Sequence, residues 1–278
     1  MPATIQKILK PSKYRAVDTS GNNNHGQIYS GRGLEFDGAV DYLTGPTVAQ
    51  GFTDLSYTKN FTVACWLKID SLEDAGVWAM GQNDNDRVGL TIGADGEIAF
   101  TAWDSSDYTH ASGGAEGSKA IEVNTWYRVI CTMSPTNTKK LYINGVLQTG
   151  TSQAFGSPLS SINTQLYIGR TGLSATGYLG MKMSDFQVWN STWTQSDVTF
   201  DYLNPESLAL SNGGTSLTES NLKLWYPMQD GHRGQQSYIM DGANTGLGDE
   251  IIVEGDYSVS YTPAYGGSTN WTNSVDGN

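Results

Sequence analysis

The sequence predicts an all-β protein, a two-sheet antiparallel sandwich followed by a C-terminal extension. Three observations carry this. Segments with period-two alternation recur along the chain, and the clearest is Phe61–Ile69, where Phe61, Val63, Cys65, Leu67 and Ile69 share one face. Turn-formers punctuate these segments, and 33 glycines in 278 residues suit many short strands joined by tight turns. Helix is scarce, limited to one short segment after Trp193.

In chain order, residues 1–17 read as an arm or first edge strand interrupted by Pro11. Residues 18–26 form a loop dense in Asn and Asp, which bond their own backbone and so can make a loop rigid. A strand pair is expected around residues 33–38 and 41–43. Phe61–Ile69 follows, with Thr62, Ala64, Trp66 and Lys68 on its second face. Residues 77–80 make a short strand, and residues 87–92 and 98–102 a hairpin across Ala94-Asp95-Gly96. Residues 104–114 are expected to form a long loop, a kind of segment that is more often functional than decorative.

A strand opened by Trp126 leads through a loop with Pro135 into a second strand that turns on Asn144-Gly145. Asn-Gly between apolar runs is a strong hairpin signal, because a type I′ turn needs positive φ at both central residues. Residues 165–170 and 180–189 are further strand segments. Thr194 is placed as an N-cap with Asp197 three residues on, and Trp193 and Val198 take the staple positions of a helix to about Tyr202. A boundary is expected near Asn204-Pro205. The chain then divides into an arm (1–17), a sandwich (18–203) and a linker with an extension or partial second module (204–278).

Composition narrows the function classes. Mean hydropathy is −0.38 and no apolar run approaches the ~18 residues that would cross a bilayer, so a soluble chain without membrane insertion is expected. Acidic residues outnumber basic ones 28 to 16, for a net charge of −12, which argues against a nucleic-acid partner. Only 16% of residues are charged, and Ser, Thr and Asn fill the polar positions, a style common in extracellular and virion proteins. Cys65 and Cys131 both sit in strand-like runs, and buried free thiols are the favoured reading over a disulfide. The N-terminal residues lack the apolar core of a secretory signal, so synthesis in the cytoplasm, or a signal removed and replaced, is expected.

Five local stretches together resemble the laminin-G-like, concanavalin A-like jelly-roll family. They are Asp18-Thr-Ser-Gly-Asn-Asn-Asn-His-Gly26; Gly33-Leu-Glu-Phe-Asp-Gly38 with Asp41-Tyr42; Phe61-Thr-Val-Ala-Cys-Trp66; Trp126 through Leu141-Tyr-Ile-Asn-Gly145; and Gly180-Met-Lys-Met-Ser-Asp-Phe-Gln-Val-Trp-Asn190 with its helix. Their order and spacing span roughly residues 14–203. The resemblance implies two antiparallel sheets, one convex and one concave, with loops at the rim. It does not choose among lectins, adhesion modules, spacers and glycoside hydrolases.

Catalysis is not expected. Glycoside cleavage needs two carboxylates about 5–9.5 Å apart, and the Glu-x-Asp-x-x-Glu-like strand pattern of hydrolases with this fold is absent. His25, His110 and His232 are scattered without metal-ligand spacing. The resemblance also implies one structural Ca2+ joining the N-terminal loop to the last strand, with Asp18, Asn22 and Asp185 as ligands. The alternative is that Asp18 caps its own turn and Asp185 is solvated. For glycan binding the candidate rim is Asn83, Asp84, Asp86, Trp103, Asp107, Tyr108 and His110, an aromatic-and-amide set suited to sugars. An export-type binding fold without an export signal points to a non-enzymatic phage virion protein, displayed in many copies on a capsid or tail and adhering to cell-surface glycans. Residues 1–17 and those after Asn204 would then contact other virion proteins. The rival reading is a lectin-like module of a cellular surface protein.

Overall fold

The computed structural model describes residues 15–16, 26–27, 33–47, 52, 55, 60–83, 86–104, 107–113, 120–134, 138–149, 165–171, 177–204, 215–226, 228, 238–240 and 250–254. The first strands are β1 (Arg15–Ala16), β2 (Gly26–Gln27), β3 (Leu34–Asp37), β4 (Tyr42–Thr47), β5 (Phe61–Ile69) and β6 (Ala75–Asn83). They are followed by β7 (Asp86–Ile92), β8 (Ile98–Asp104), β9 (Asp107–Gly113), β10 (Trp126–Met133), β11 (Lys139–Ile143) and β12 (Val146–Leu147). Then come β13 (Gln165–Ile168), β14 (Gly180–Trp189), helix α1 (Gln195–Leu203), β15 (Leu222–Tyr226), β16 (Tyr238–Met240) and β17 (Glu250–Glu254).

Two large antiparallel sheets form the sandwich, and β1 pairs with β2 in a separate two-stranded sheet. The seven-stranded sheet runs β12-β11-β10-β5-β14-β15, with β3 and β15 each pairing a different half of β14. The eight-stranded sheet runs β16-β17-β4-β13-β6-β7-β8-β9. Their facing surfaces bury one core, in which Phe61, Val63, Cys65, Leu67 and Ile69 of β5 pack with Val88, Leu90, Ile98 and Phe100. The alternation expected for β5 is therefore realised. Cys65 and Cys131 are buried free thiols. Burial pushes the Cys65 thiol up to about 12, with Arg128 opposing and Asp185 adding to the shift, and burial raises Cys131 as well.

The expected Asn-Gly turn joins β11 to β12. Asn144 has φ 50° and Gly145 φ 81°, and Ile143 pairs with Val146 across them. Helix α1 begins as the sequence indicates. The Thr194 hydroxyl accepts from the Asp197 N–H at 3.3 Å, and the Asp197 carboxylate accepts from the Thr194 N–H at 2.8 Å. The helix covers the outer face of the seven-stranded sheet, where Val198 and Trp193 join Ala64, Ile130, Tyr142 and Trp189 in a second core. The Trp189 and Trp193 rings meet edge to face at 5.5 Å.

Three expectations are corrected. Residues 33–38 and 41–43 are not a pair: β3 lies in one sheet and β4 in the other. The Asp37 carboxylate accepts from the backbone N–H groups of Ala39, Val40 and Asp41, and Gly38 has φ 74°, so the chain turns a corner rather than a hairpin. Residues 107–113 are not loop but the edge strand β9, paired with β8 from Ile98↔Gly113 to Asp104↔Asp107. An edge strand is held by ladder hydrogen bonds on one side, which need no aliphatic alternation. The region after Asn204 is not outside the sandwich, because β15 extends the seven-stranded sheet and β17 pairs with β4 in the other. These additions cover edges that β14 and β4 would otherwise expose.

Lys139 lies on the inward face of β11, with Leu141 and Ile143, and is buried. Burial pulls its ammonium down from 10.5 to about 8. Between those two values the unfolded chain holds a proton that the folded chain does not. Stability is therefore expected to rise with pH across that window and to carry the full penalty below it. Lys139→Met should flatten the rise; denaturant titrations at a series of alkaline pH values test this, and an unchanged slope would refute it.

Candidate ligand-binding face

On β7 the residues Val88, Leu90 and Ile92 enter the core, so Arg87, Gly89 and Thr91 point the other way. On β8, Ala99 and Thr101 likewise lie opposite Ile98 and Phe100. This outer face is floored by small residues, and small residues leave room above a sheet. An open cleft of about 360 Å³ occupies that room, lined by Asp74, Arg87, Thr91, Glu97, Ala99 and Thr171 among others. Its walls are braced. The Asp74 carboxylate accepts from the Ala94 N–H at 2.9 Å, the Asp95 carboxylate from the Glu97 N–H at 2.9 Å, and Arg87 Nη1 donates to the Thr171 carbonyl at 3.0 Å.

The turn after β13 forms one wall by crossing directly over Gly76. A Cβ at that position would lie 2.3 Å from the Arg170 carbonyl carbon and 2.4 Å from the Thr171 nitrogen. Only glycine admits so close a backbone approach. Arg170 has its guanidinium carbon 4.0 Å from the ring centroids of both Tyr42 and Tyr167. Tyr178 adds a third ring, 6.1 Å from Tyr42.

Six of the seven rim residues named from sequence are strand residues. Register pairs Asn83 with Asp86, Asp104 with Asp107, and Trp103 with both Arg87 and Tyr108. Asn83, Asp86, Trp103, Asp107 and Tyr108 thus converge on one end of the eight-stranded sheet. His110 pairs with Thr101, further along β9. Asp84 lies outside the described residues. Sequence reasoning missed Arg87 and Thr91, although their alternation with Val88, Leu90 and Ile92 is a legible signal. Asp74, Thr171 and Arg170 carry no such local signal.

Asp185 is not a solvated carboxylate. It occupies a bulge where the pairing of β14 with β5 shifts between Ser184 and Gln187, and its φ is 52°. Its side chain is buried and lies 3.0 Å from Arg128 Nη1; Gln187 Nε2 donates to both carboxylate oxygens at 2.9 Å, and Trp225 Nε1 donates at 2.7 Å. Arg128 in turn grips Asp201 of α1 through Nε at 2.8 Å and Nη2 at 3.0 Å. Burial alone would lower the Arg128 pKa, but Asp201 and then Asp185 outweigh it and hold it above the ordinary guanidinium value. Burial raises the Asp185 pKa against the opposing pull of Arg128. These surroundings do not fit a Ca2+ ligand, because a cation at Asp185 would meet a guanidinium already on the carboxylate. Asp18 and Asn22 lie outside the described residues. Among the described residues no cluster of three His, Cys, Asp or Glu has the geometry of a metal site.

Two antiparallel sheets packed face to face, with a cleft on the outer face of one, place the protein in the concanavalin A-like sandwich class. The family model described as the concanavalin A-like lectin/glucanases superfamily matches residues 37–199, more than half of the chain, and the protein belongs to that family. Among solved structures, one similar chain is from Bacteroides ovatus and is provisionally described as a carbohydrate binding protein. It has a TM-score of 0.52 and 18% identity over 89% of this chain and 65% of that one, so this chain spans less than two thirds of it. A heptameric SAP-like pentraxin from Limulus polyphemus matches with a TM-score of 0.47 and 17% identity, over 83% of this chain and 98% of that one. Domain 4 of an extracellular arabinanase from Geobacillus stearothermophilus, in complex with arabinotriose, matches with a TM-score of 0.45 and 18% identity, over 58% of this chain and 71% of that one. At these identities the likeness is one of fold. The comparison with curated proteins found no match.

Proposed function

We propose that the protein is a non-enzymatic glycan-binding domain whose sugar sits on the outer face of the eight-stranded sheet. The observation that carries this is the cleft of about 360 Å³, in which a guanidinium, two carboxylates and threonines line a floor of small residues. Its size falls in the range of small-ligand sites, and the mixture of charged donors and acceptors suits an array of hydroxyl groups. Membership of a lectin and glucanase family supports the ligand class. Binding is favoured over hydrolysis by the state of the cleft carboxylates. A general acid needs a desolvated carboxyl, whereas Asp74 is exposed with one oxygen on the Ala94 N–H, and Glu97 is only partly buried.

A glycan array followed by calorimetric titration of the best ligand tests the proposal. Arg87→Ala is expected to weaken binding about tenfold or more, the size of a lost charged hydrogen bond. An array without a single retained glycan, or an Arg87→Ala variant with unchanged affinity, would refute it, and release of reducing sugar from the bound polysaccharide would make it an enzyme.

Display in many copies on a phage capsid or tail, with the sugar-binding face outward, is the finer form of this reading. The sparsely charged, Asn- and Thr-rich composition supports it, and copurification with intact particles tests it. Of the two segments expected to contact other virion proteins, the one after Asn204 gives up β15, β16 and β17 to the sheets themselves.

A further inference from the structure

The described arginines whose side chains are buried are satisfied in different ways. Arg128 is gripped by Asp201 and Asp185. Arg170, only 6% exposed, lies against the rings of Tyr42 and Tyr167, and its buried Nε has no hydrogen-bond partner. Among the described residues no carboxylate forms an ion pair with it. A shortage of acids does not explain this in a chain with 28 acidic residues against 16 basic ones. Desolvating a guanidinium is costly, and contact with two aromatic rings offsets only part of that cost. The two ring centroids are only 6.2 Å apart, too close to sandwich a group 4.0 Å from each, so the rings enclose one side of the guanidinium and supply no hydrogen bond to it. Its N–H edge has the fork geometry that takes a carboxylate through two parallel hydrogen bonds.

We propose that Arg170 is the anchor for a carboxylate carried by the bound sugar, so that this face selects acidic glycans of the uronic or sialic type. The proposal rests on the glycan-binding reading above and names the class of glycan. Tyr42 and Tyr178 are half-buried and their rings lie 6.1 Å apart, which offers an apolar surface beside the anchor for a pyranose ring. Arg170 and Thr171 are consecutive, so the anchor adjoins the wall of the cleft. Asp74 and Glu97, on the other elements lining that cleft, accept hydroxyl groups and repel a second carboxylate. The charge arrangement therefore orients the ligand, with its acid towards Arg170 and its hydroxyls towards Asp74 and Glu97. The backbone that carries Arg170 is fixed by the contact over Gly76 and by the Gly169 N–H, which donates to the Val77 carbonyl at 2.8 Å.

The test is calorimetric titration of the full chain with trigalacturonate, its methyl ester and a sulfated galactose oligomer, together with sialyllactose and lactose. The wild-type protein is expected to bind trigalacturonate or sialyllactose about tenfold or more tightly than the matching uncharged sugar, the worth of one charged hydrogen-bonded pair. In Arg170→Gln that ratio should fall to about one, and Arg170→Lys, which keeps the charge without the fork, should fall between. Equal affinity of the wild-type protein for acid and ester overturns the proposal without any variant having to fold. An unchanged ratio in Arg170→Gln, or sulfated sugar bound as tightly as trigalacturonate, also overturns it. Binding of uncharged sugars with no acid preference would sink this inference alone, whereas binding of no sugar at all would sink the glycan reading beneath it.

Discussion

Replacing Arg128 with methionine is expected to destabilise the protein by about 3–5 kcal/mol, the range for removing one member of a buried ion-paired set. The size follows from what is left behind. Asp185 and Asp201 are at most 1% exposed, and Arg128 is the cation that both of them meet. Gln187 and Trp225 still donate to Asp185, but they supply dipoles rather than a charge. The deficit should depend on pH with a defined sign. Burial already lifts the Asp185 carboxyl above 3.8, and removing Arg128 deletes the largest influence that lowers it. The folded variant then holds a proton that the unfolded chain has released, so its stability falls as pH rises through the folded pKa. Urea titrations at about pH 5 and about pH 8 should therefore show the larger loss at the higher value. A loss under about 1 kcal/mol, or one independent of pH, would contradict the buried network, because surface pairs behave that way. Adding Asp201→Asn to the variant should recover part of the loss, since it removes one stranded charge.

Gly76→Ala is expected to cost about 1–3 kcal/mol and, with it, the ligand. The added methyl would stand 2.3 Å from the Arg170 carbonyl carbon, and backbone cannot swing aside as a side chain can. The turn that must move carries Arg170, its neighbour Thr171 lines the cleft, and Arg87 holds that turn by the Thr171 carbonyl. Sugar affinity should drop together with stability. Gly180→Ala is the control: it is also a strand glycine, but its nearest neighbour would be the Ser71 hydroxyl at 3.7 Å, so it should be close to neutral. Thermal melting and titration of both variants decide the matter. Equal behaviour would show that the turn does not press on Gly76.

The parts of this protein that were legible in its sequence are those decided by near neighbours. Alternation in Phe61–Ile69 marks the core face because side chains on a strand must alternate. Asn144-Gly145 marks a turn because few residues accept positive φ, and Thr194 with Asp197 marks a helix start because the two satisfy each other's backbone. The bulge at Asp185 was missed, although the core residues run Met181, Met183 and then Phe186, Val188, a change of phase that requires an extra residue. Strand β9 was not legible, because Asp107–Gly113 contains no aliphatic row and is held by its pairing with β8.

The sequence by itself determined the class of fold, the hairpin turn, the capped helix and the two buried thiols, all of which depend on residues a few positions apart. Tertiary structure alone decided which outer face is closed and which is open. Helix α1 closes one, turning Arg128, Asp185 and Asp201, up to 73 positions apart, into a single buried network. The turn over Gly76 shapes the other, bringing Asp74, Arg87, Glu97 and Thr171 around one cleft and Arg170 against two tyrosines. Both results depend on distant segments packing onto a sheet face, and alternation states only that a face exists, not what lies across it.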